Sequence, residues 1–336
     1  MTMLSTTNDS IVIRQITDEN LKLAKEYVLQ GKLVAFPTET VYGLGANAFL
    51  DDAIRQCFYL KGRPTDNPLI VHVHKDYDIS TLVYVDKPYQ KELIKAFMPG
   101  PITLVFNSRG KVSDLVSCGL KTLAIRMPSS QGAQSFLKAV NLPIAAPSAN
   151  LSKHTSPVTA EHVFADFGQK IPMILDGGRC EGGIESTVVD VTGDYPIILR
   201  KGLITAEMIA RVTGKCTYAN QDSSLNARSP GTKYKHYCPK TQTAVFEYGN
   251  FEDVIKLYNQ TISQNKTAVI MCREQDACHF KGLNVFSLGE TGNQMAARLY
   301  FGLREAERFD LAIGYKFPIT DEVMLSVENR FLKAFG

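Results

Sequence analysis

Several features that would have decided the class of this protein are missing. None of the seven cysteines forms a CxxC pair with another, so no zinc-ligating spacing is present, and free thiols in a reducing compartment are the simplest account. No Walker A loop occurs, which excludes phosphate binding by that particular glycine-rich cradle. No run of about 18 apolar residues exists, so nothing calls for a membrane, and Met1 to Ser10 carry no charged-then-apolar signal pattern. Repeats and low-complexity tracts are absent too. The net charge is only +3, a balance that neither requires nucleic acid nor excludes it. A cytoplasmic protein is expected.

What is present is enough chain for two domains: 336 residues, 44% hydrophobic, with helical and strand periodicities alternating. That alternation places the chain in the α/β class. Asp18, Leu21, Ala24 and Val28 with Gly31 beyond them predict a capped amphipathic helix. A second helix is expected over Asp52 to Leu60, and strands over Lys32 to Phe36, Leu69 to Val73, Ile102 to Phe106, Thr122 to Arg126, Ile144 to Ala146, Met173 to Leu175, Thr187 to Val191 and Ile197 to Leu199. One broad, twisted, mostly mixed sheet carrying helices is expected over residues 13–214. Polar residues from Asn220 to Ser224 then mark a linker over residues 215–240, ending in the basic, aromatic stretch Ser229 to Tyr237. Residues 241–336 show short strands between helices, the strongest helix at Met295 to Phe309, and read as a smaller Rossmann-like α/β domain.

The chemistry lies in separated polar patches at the edges of apolar runs: Lys61, Gly62, Arg63; Asn67; Ser148, Ala149, Asn150; and Glu185, Ser186, Thr187. If the strands share a sheet, these patches can converge on one cleft, and two fixed cations there suit an anion, phosphate first. The plainer account of a Lys/Arg pair after a helix is solvated surface. Gly43 to Ala48 fit a dinucleotide fingerprint in letters, but the glycines stand too far beyond the preceding strand, and Lys61 and Arg63 occupy the region where an acidic ribose ligand should lie. Ile70, His72 and His74 share a strand face, which leaves a paired-histidine metal site or a structural histidine open beside a substrate contact.

The run Phe36 to Gly45, Lys61-Gly62-Arg63, Asn67 to Ile70 and Pro147 to Asn150, followed by Asp176-Gly177-Gly178, Glu185-Ser186-Thr187, Leu199 to Gly202 and Ser229 to Tyr237, resembles the threonylcarbamoyl-AMP synthase family, with its YrdC-like fold, in the long two-domain form. The likeness spans roughly residues 13 to 240. It implies that L-threonine, bicarbonate and ATP, with magnesium, give threonylcarbamoyl-adenylate and pyrophosphate. The product would serve a tRNA-modifying protein complex acting on the adenosine beside the anticodon in tRNAs that read codons beginning with A. Direct contact with tRNA is left open.

By the same resemblance Lys61 and Arg63 would carry catalysis at the triphosphate. Asn67, Thr122, Ser148, Asn150, Ser156, Arg200 and Tyr234 would join Arg63 in binding ATP. Thr38, His72, Arg126, the main chain of Ala146 and Ser186 would form the threonine pocket. No side-chain metal set is assigned; magnesium would arrive on the ATP phosphates. Glu39 is read as bracing its turn. For Arg126 the plain alternative is a strand-end arginine, and for Tyr234 a packed linker aromatic. The segment holding Tyr234 and His236 could lie over the cleft as a lid that excludes water. The second domain departs from the family in Phe317 to Thr320, whereas Asn329, Arg330, Lys333 and Ala334 resemble its final helix. Two rivals stand: a carbamoyl-adenylating enzyme of the hydrogenase-maturation type, and an RNA-binding module without adenylation, whose affinity would fall steeply with salt.

Overall fold

The structure is a computed structural model that describes residues 12–220 and 237–336. In chain order the first part runs β1 (Ile13–Gln15), α1 (Asp18–Leu29), β2 (Val34–Phe36), β3 (Gly43–Asn47), α2 (Asp51–Lys61), β4 (Ile70–His72), α3 (Pro88–Phe97), β5 (Ile102–Asn107), α4 (Asp114–Ser117), β6 (Thr122–Arg126), α5 (Gln131–Val140), β7 (Ile144–Ala145), α6 (Ala160–Phe167), β8 (Met173–Asp176), β9 (Thr187–Asp190), β10 (Ile197–Arg200), α7 (Ala206–Thr213) and β11 (Thr217–Tyr218). The second part adds β12 (Gln242–Phe246), α8 (Phe251–Ser263), β13 (Ala268–Cys272), β14 (Val285–Ser287), α9 (Gly292–Ala306), β15 (Leu311–Tyr315) and α10 (Glu322–Phe335).

Among the described residues the first eleven strands form one mixed sheet in the order β1-β8-β2-β3-β7-β4-β6-β5-β9-β10-β11, and β12-β15-β13-β14 form a second, parallel sheet. The α/β class with a mixed sheet is thus as expected, with three differences. The Thr17 side chain, not Asp18, caps α1, accepting from Asn20 N at 3.2 Å; a cap residue needs extended backbone, which Thr17 has, while Asp18 is already helical and its charge suits the first turn. The glycines of the dinucleotide-like motif lie inside strand β3, paired antiparallel to β2. A methyl group at Gly45 would sit 3.0 Å from the Val34 carbonyl, so the glycines permit close strand packing and shape no phosphate turn. The large sheet also runs past residue 214: α7 returns the chain so that Thr217 and Tyr218 pair parallel to Ile197 and Ile198.

The two sheets share a core. One apolar cluster contains Leu44, Val71, Ile125 and Ile184 of the first part together with Met295, Leu299, Val327 and Phe331 of α9 and α10. Each such side chain taken fully from water is worth roughly 1.5–3 kcal/mol. A buried ion pair crosses the same boundary: Arg304 of α9 holds Asp166 of α6 with both nitrogens, at 2.6 and 3.0 Å, and donates to the Thr155 carbonyl at 2.5 Å. Burial works against the Asp166 charge, yet Arg304 keeps its carboxyl below the usual range. No helix among the described residues is long and apolar enough to cross a membrane.

Removing one partner of a buried pair strands the other's charge. Arg304→Ala should therefore lower stability in denaturant unfolding by about 3–5 kcal/mol, whereas Arg55→Ala, which breaks an exposed pair with Asp51, should cost less than about 1 kcal/mol.

Candidate active site

Strand register assembles the site. β4 and β6 are parallel neighbours with His72 opposite Arg126, and β7 runs antiparallel beside β4, so the chain leaving β7 crosses directly over them. On the other side β5 carries β9 next to it, and Thr103 Oγ1 lies 2.8 Å from Ser186 Oγ. The strand ends thus deliver Thr38, His72, Arg126, Ser186 and Arg200 to one cleft. The loop after β7 and the C-terminal end of α2 form the rest of its wall. The result is a cleft lined by Thr38, Lys61, Arg63, His72, Arg126, Ala146, Ser148, Asn150, Ser156, Ser186 and Arg200, with Glu185 and Tyr237 also in its wall.

Eleven of the fourteen residues picked from the sequence therefore meet in one place. Three do not. Thr122 shares a face of β6 with Arg126 but pairs with Asn107 at the strand's other end; four residues of strand are about 13 Å, and Thr122 does not line the cleft. Asn67 is buried behind the wall, where its carbonyl accepts from Arg63 Nε at 3.2 Å. Its side-chain amide has no partner among the described residues. Tyr234, and with it the lid segment up to His236, lies outside the described residues.

The cations are held mainly by carbonyl oxygens. Lys61 Nζ donates to the carbonyls of Ser148 and Asn150, both at 2.5 Å. Arg63 donates to Asn67 and Pro68 carbonyls, and Arg200 to the Ser186 carbonyl at 2.9 Å. A carbonyl satisfies a donor without cancelling its charge, so the wall stays positive. Burial, aided by Arg63, pulls Lys61 down to about 7, and burial brings Arg63 to about 10, still charged near neutrality. An arriving anion would raise both.

The remaining lining suits a zwitterion. Arg126 donates to Glu39 Oε1 at 2.8 Å, while its Nε, buried, has no partner among the described residues. Glu39 also accepts from Ser129 N, in line with a bracing role. The Thr38 hydroxyl is committed to its own turn, donating to the Val41 carbonyl at 2.7 Å. Ala146 N–H is taken by the Ile70 carbonyl, which leaves its carbonyl for a ligand. His72 is neutral, since burial and then Arg126 pull it to about 3. Its Nδ1 meets the Ile70 carbonyl at 3.1 Å, whereas His74 Nε2 meets Asn141 Oδ1 at 2.9 Å. The two imidazoles have separate partners, and no group of three or more metal-ligating side chains occurs among the described residues.

Sequence reasoning quoted Glu185 and Tyr237 in motifs and gave them no role. Glu185 is buried, accepting from Ser156 Oγ and Tyr300 OH, each at 2.8 Å, and from Arg330 Nε at 3.3 Å. The available signal was a glutamate directly before an apolar strand, which needs a partner once buried. Tyr237, with φ +73°, stacks on Tyr300 with ring centroids 5.3 Å apart, and its carbonyl accepts from Thr155 Oγ1.

Lys61 generates a pH signature. Its folded pKa lies below its unfolded one, so between pH ~7 and ~10.5 the unfolded chain binds more protons and stability rises with pH. The stability difference between the wild type and Lys61→Met should accordingly shift in favour of the wild type as pH climbs through that window, and stay flat below it, in parallel denaturant titrations.

Comparison with known proteins completes the picture. Residues 26–202 match the Sua5/YciO/YrdC family model, described as "Telomere recombination", and residues 204–336 match the model of the threonylcarbamoyl-AMP synthase C-terminal domain. A threonylcarbamoyl-AMP synthase of Pyrococcus abyssi is 38% identical over 334 residues, covering 97% of this chain and 96% of that protein. One of Bacillus subtilis is 39% identical over 326 residues, covering 95% and 94%. The crystal structure of P. abyssi Sua5 complexed with L-threonine superposes with a TM-score of 0.85 at 36% identity over 96% of both chains. With both family models matched and full-length relatives at this level of identity, the chain belongs to the threonylcarbamoyl-AMP synthase family.

Proposed function

We propose that this chain is an L-threonylcarbamoyladenylate synthase, a nucleotidyltransferase that uses L-threonine, bicarbonate and ATP. The observation that carries the reading is the joining, in a single cleft, of a positive arm (Lys61, Arg63, Arg200, with Ser148, Asn150 and Ser156) and an amino-acid arm (Thr38, His72, Arg126, Ser186). Relatives named threonylcarbamoyl-AMP synthase over nearly the full chain support it, as does the P. abyssi Sua5 structure, which is a complex with L-threonine.

Two steps account for every atom. Threonine's amine adds to bicarbonate and loses water to give a carbamate. A carbamate oxygen attacks the α-phosphorus, the bond to the bridging oxygen breaks, and pyrophosphate leaves with the electron pair. Arg126 would grip the threonine carboxylate through the guanidinium edge that includes its unpartnered Nε. Lys61, Arg63 and Arg200 would hold the phosphates and offset charge on the departing pyrophosphate. Holding carbamate and α-phosphorus together supplies most of the remaining advantage, so no covalent nucleophile is needed. Tyr234 is retained as a nucleotide cover and Thr122 only as a remote support.

Magnesium fits as a partner of the phosphates rather than of the protein. The Glu185 carboxylate in the cleft wall is fully engaged by Ser156, Tyr300 and Arg330, so among the described cleft residues no free carboxylate stands ready to ligate it, and the ion would sit on triphosphate oxygens and water. Bound there, it supplies further charge neutralisation. The product would go to a tRNA-modifying protein complex acting beside the anticodon, in the cytoplasm.

Pyrophosphate release from magnesium and ATP should require both threonine and bicarbonate. Release without threonine that depends on an added carbamoyl donor would favour the carbamoyl-adenylating rival, and none at all the RNA-binding one. Lys61→Ala or Arg63→Ala should slow turnover by about a hundredfold or more. Arg126→Lys, which keeps the charge and loses the planar fork, should raise the KM for threonine by about tenfold while leaving that for ATP nearly unchanged.

A further inference from the structure

Among the described residues, five other than glycine have a positive φ: Cys118, Asn141, Lys153, Tyr237 and Asn265. Three of them end helices. Cys118 and Asn141 are the C-caps of α4 and α5, and Asn265 follows that of α8, where left-handed backbone releases the chain from the helix. Lys153 and Tyr237 end no helix, and both line the cleft. They are also neighbours: the Lys153 carbonyl accepts from Cys238 N at 2.9 Å, and the Tyr237 carbonyl from Thr155 Oγ1 at 3.2 Å. Backbone strain that gathers at a cleft instead of at helix ends points to a function there.

Packing accounts for Tyr237, which is buried and stacked on Tyr300, but not for Lys153, which is exposed. Lys153 holds the third place of the turn Leu151–His154, closed by His154 N on the Leu151 carbonyl at 3.1 Å. Its φ is +73°, and no other residue of the turn has a positive φ. That pattern calls for glycine or asparagine, because the Cβ of a longer side chain crowds the following carbonyl. The turn is pinned as it stands: Ser152 N donates to the Lys61 carbonyl at 2.8 Å, and the Asn150 side chain to the His154 carbonyl at 2.9 Å. None of these bonds uses the lysine side chain, and its ammonium has no hydrogen bond or ion pair among the described residues. The backbone bond from Ser152 to Lys61 sets this unpaired charge at the Lys61 and Arg63 end of the cleft.

Resting on the adenylylation reading above, we propose that Lys153 is a further phosphate-binding residue of the nucleotide arm, whose ammonium engages the outer phosphates of ATP and, after transfer, the pyrophosphate. The α-phosphorus must lie deep, where it meets the carbamate, so the outer phosphates extend toward solvent. Lys61 is buried and Lys153 exposed, and the two cations follow that path from inside to outside. A compact ammonium on a flexible stem suits the outer position, since it can follow the pyrophosphate and then release it.

Glycine is the informative substitution, because it removes the charge and suits the backbone. In the full-length chain Lys153→Gly should raise the midpoint of denaturant unfolding, since a positive φ carries no Cβ penalty in glycine. It should nevertheless weaken binding of magnesium-ATP and of pyrophosphate by about fivefold at low salt, with the affinity for AMP and the KM for threonine changed by less than about twofold. The loss should shrink as salt is added. Lys153→Gln keeps the strain and drops the charge, and should lose as much ATP affinity as the glycine variant, whereas Lys153→Arg should keep most of it. A glycine variant that is more stable and binds ATP like the wild type would overturn the proposal. So would wild-type affinity in Lys153→Gln, which would trace the glycine effect to a loosened turn, or a loss for AMP equal to that for ATP. A glycine variant no more stable than the wild type would remove the strain on which the inference stands. Wild-type protein that releases no pyrophosphate from magnesium-ATP with threonine and bicarbonate would bring down the adenylylation reading itself; normal wild-type turnover with an indifferent Lys153→Gly would bring down this inference alone.

Discussion

A cleft that gathers positive charge must hold cations such as Lys61 and Arg63 without neutralising them, and much of this structure is organised around that constraint; Arg126, held by the Glu39 carboxylate, is the exception. Lys61, Arg63 and Arg200 are taken out of bulk water, which disfavours their charged forms. If carboxylates held them, the ion pairs would be stable and the cleft would have nothing left for an anion. Main-chain carbonyls hold Lys61 and Arg63 instead: those of Ser148 and Asn150 for Lys61 and of Asn67 and Pro68 for Arg63, while Arg200 donates to the Ser186 carbonyl among its contacts. Carbonyls aimed inward in this way come from irregular backbone, since those of strand interiors are spent on neighbouring strands. That is why the loop after β7 and the turn after α2 form the wall.

Those loops need external support to keep their shape. The loop after β7 is tied at Asn150, whose side-chain nitrogen spans to the Leu151 and His154 carbonyls. It is also tied from behind, where Asp166 accepts from Leu151 N and is clamped by Arg304. Glu185 and Ser156 are secured from the same side by α9 and α10. The C-terminal sheet contributes no strand residue to the cleft lining, but its two helices are the backing on which the cleft loops rest. The amino-acid rim depends on it much less: Thr38, His72 and Arg126 are ordered by β2, β4 and β6 and by Glu39, all in the first part of the chain.

Eight of the eleven strands of the large sheet were legible because each is a short apolar run bounded by turn residues, with ends within two positions of the expected ones; β1, β3 and β11 were not expected, since they are short or lack that apolar pattern. Helix α9 was recognised by its periodicity, though it starts at Gly292, where the Thr291 and Gln294 side chains form a capping box, and stops at Ala306. The glycines of β3 were a harder case: their letters suit a phosphate turn, and only pairing with β2 shows that they are packed strand positions. Thr122 illustrates a different limit. Alternation assigns it to the face that Arg126 occupies, but a face has length, and the cleft takes only one end of it.

Residue type and spacing by themselves determined the chemistry available to this chain: the Lys61 and Arg63 pair at a helix end, the hydroxyl and amide groups at strand edges, Arg126 as a fork for a carboxylate, and the absence of cysteine pairs spaced to hold zinc. Those properties belong to single side chains and survive without coordinates. What the tertiary structure alone decided was the pairing of charges. Glu185 meets Arg330, 145 positions along the chain, and no local pattern encodes which distant arginine a buried carboxylate will meet. The physical reason is that electrostatic pairing in a buried site is set by distance and competing partners through space, and both arise only when α10 packs against the large sheet.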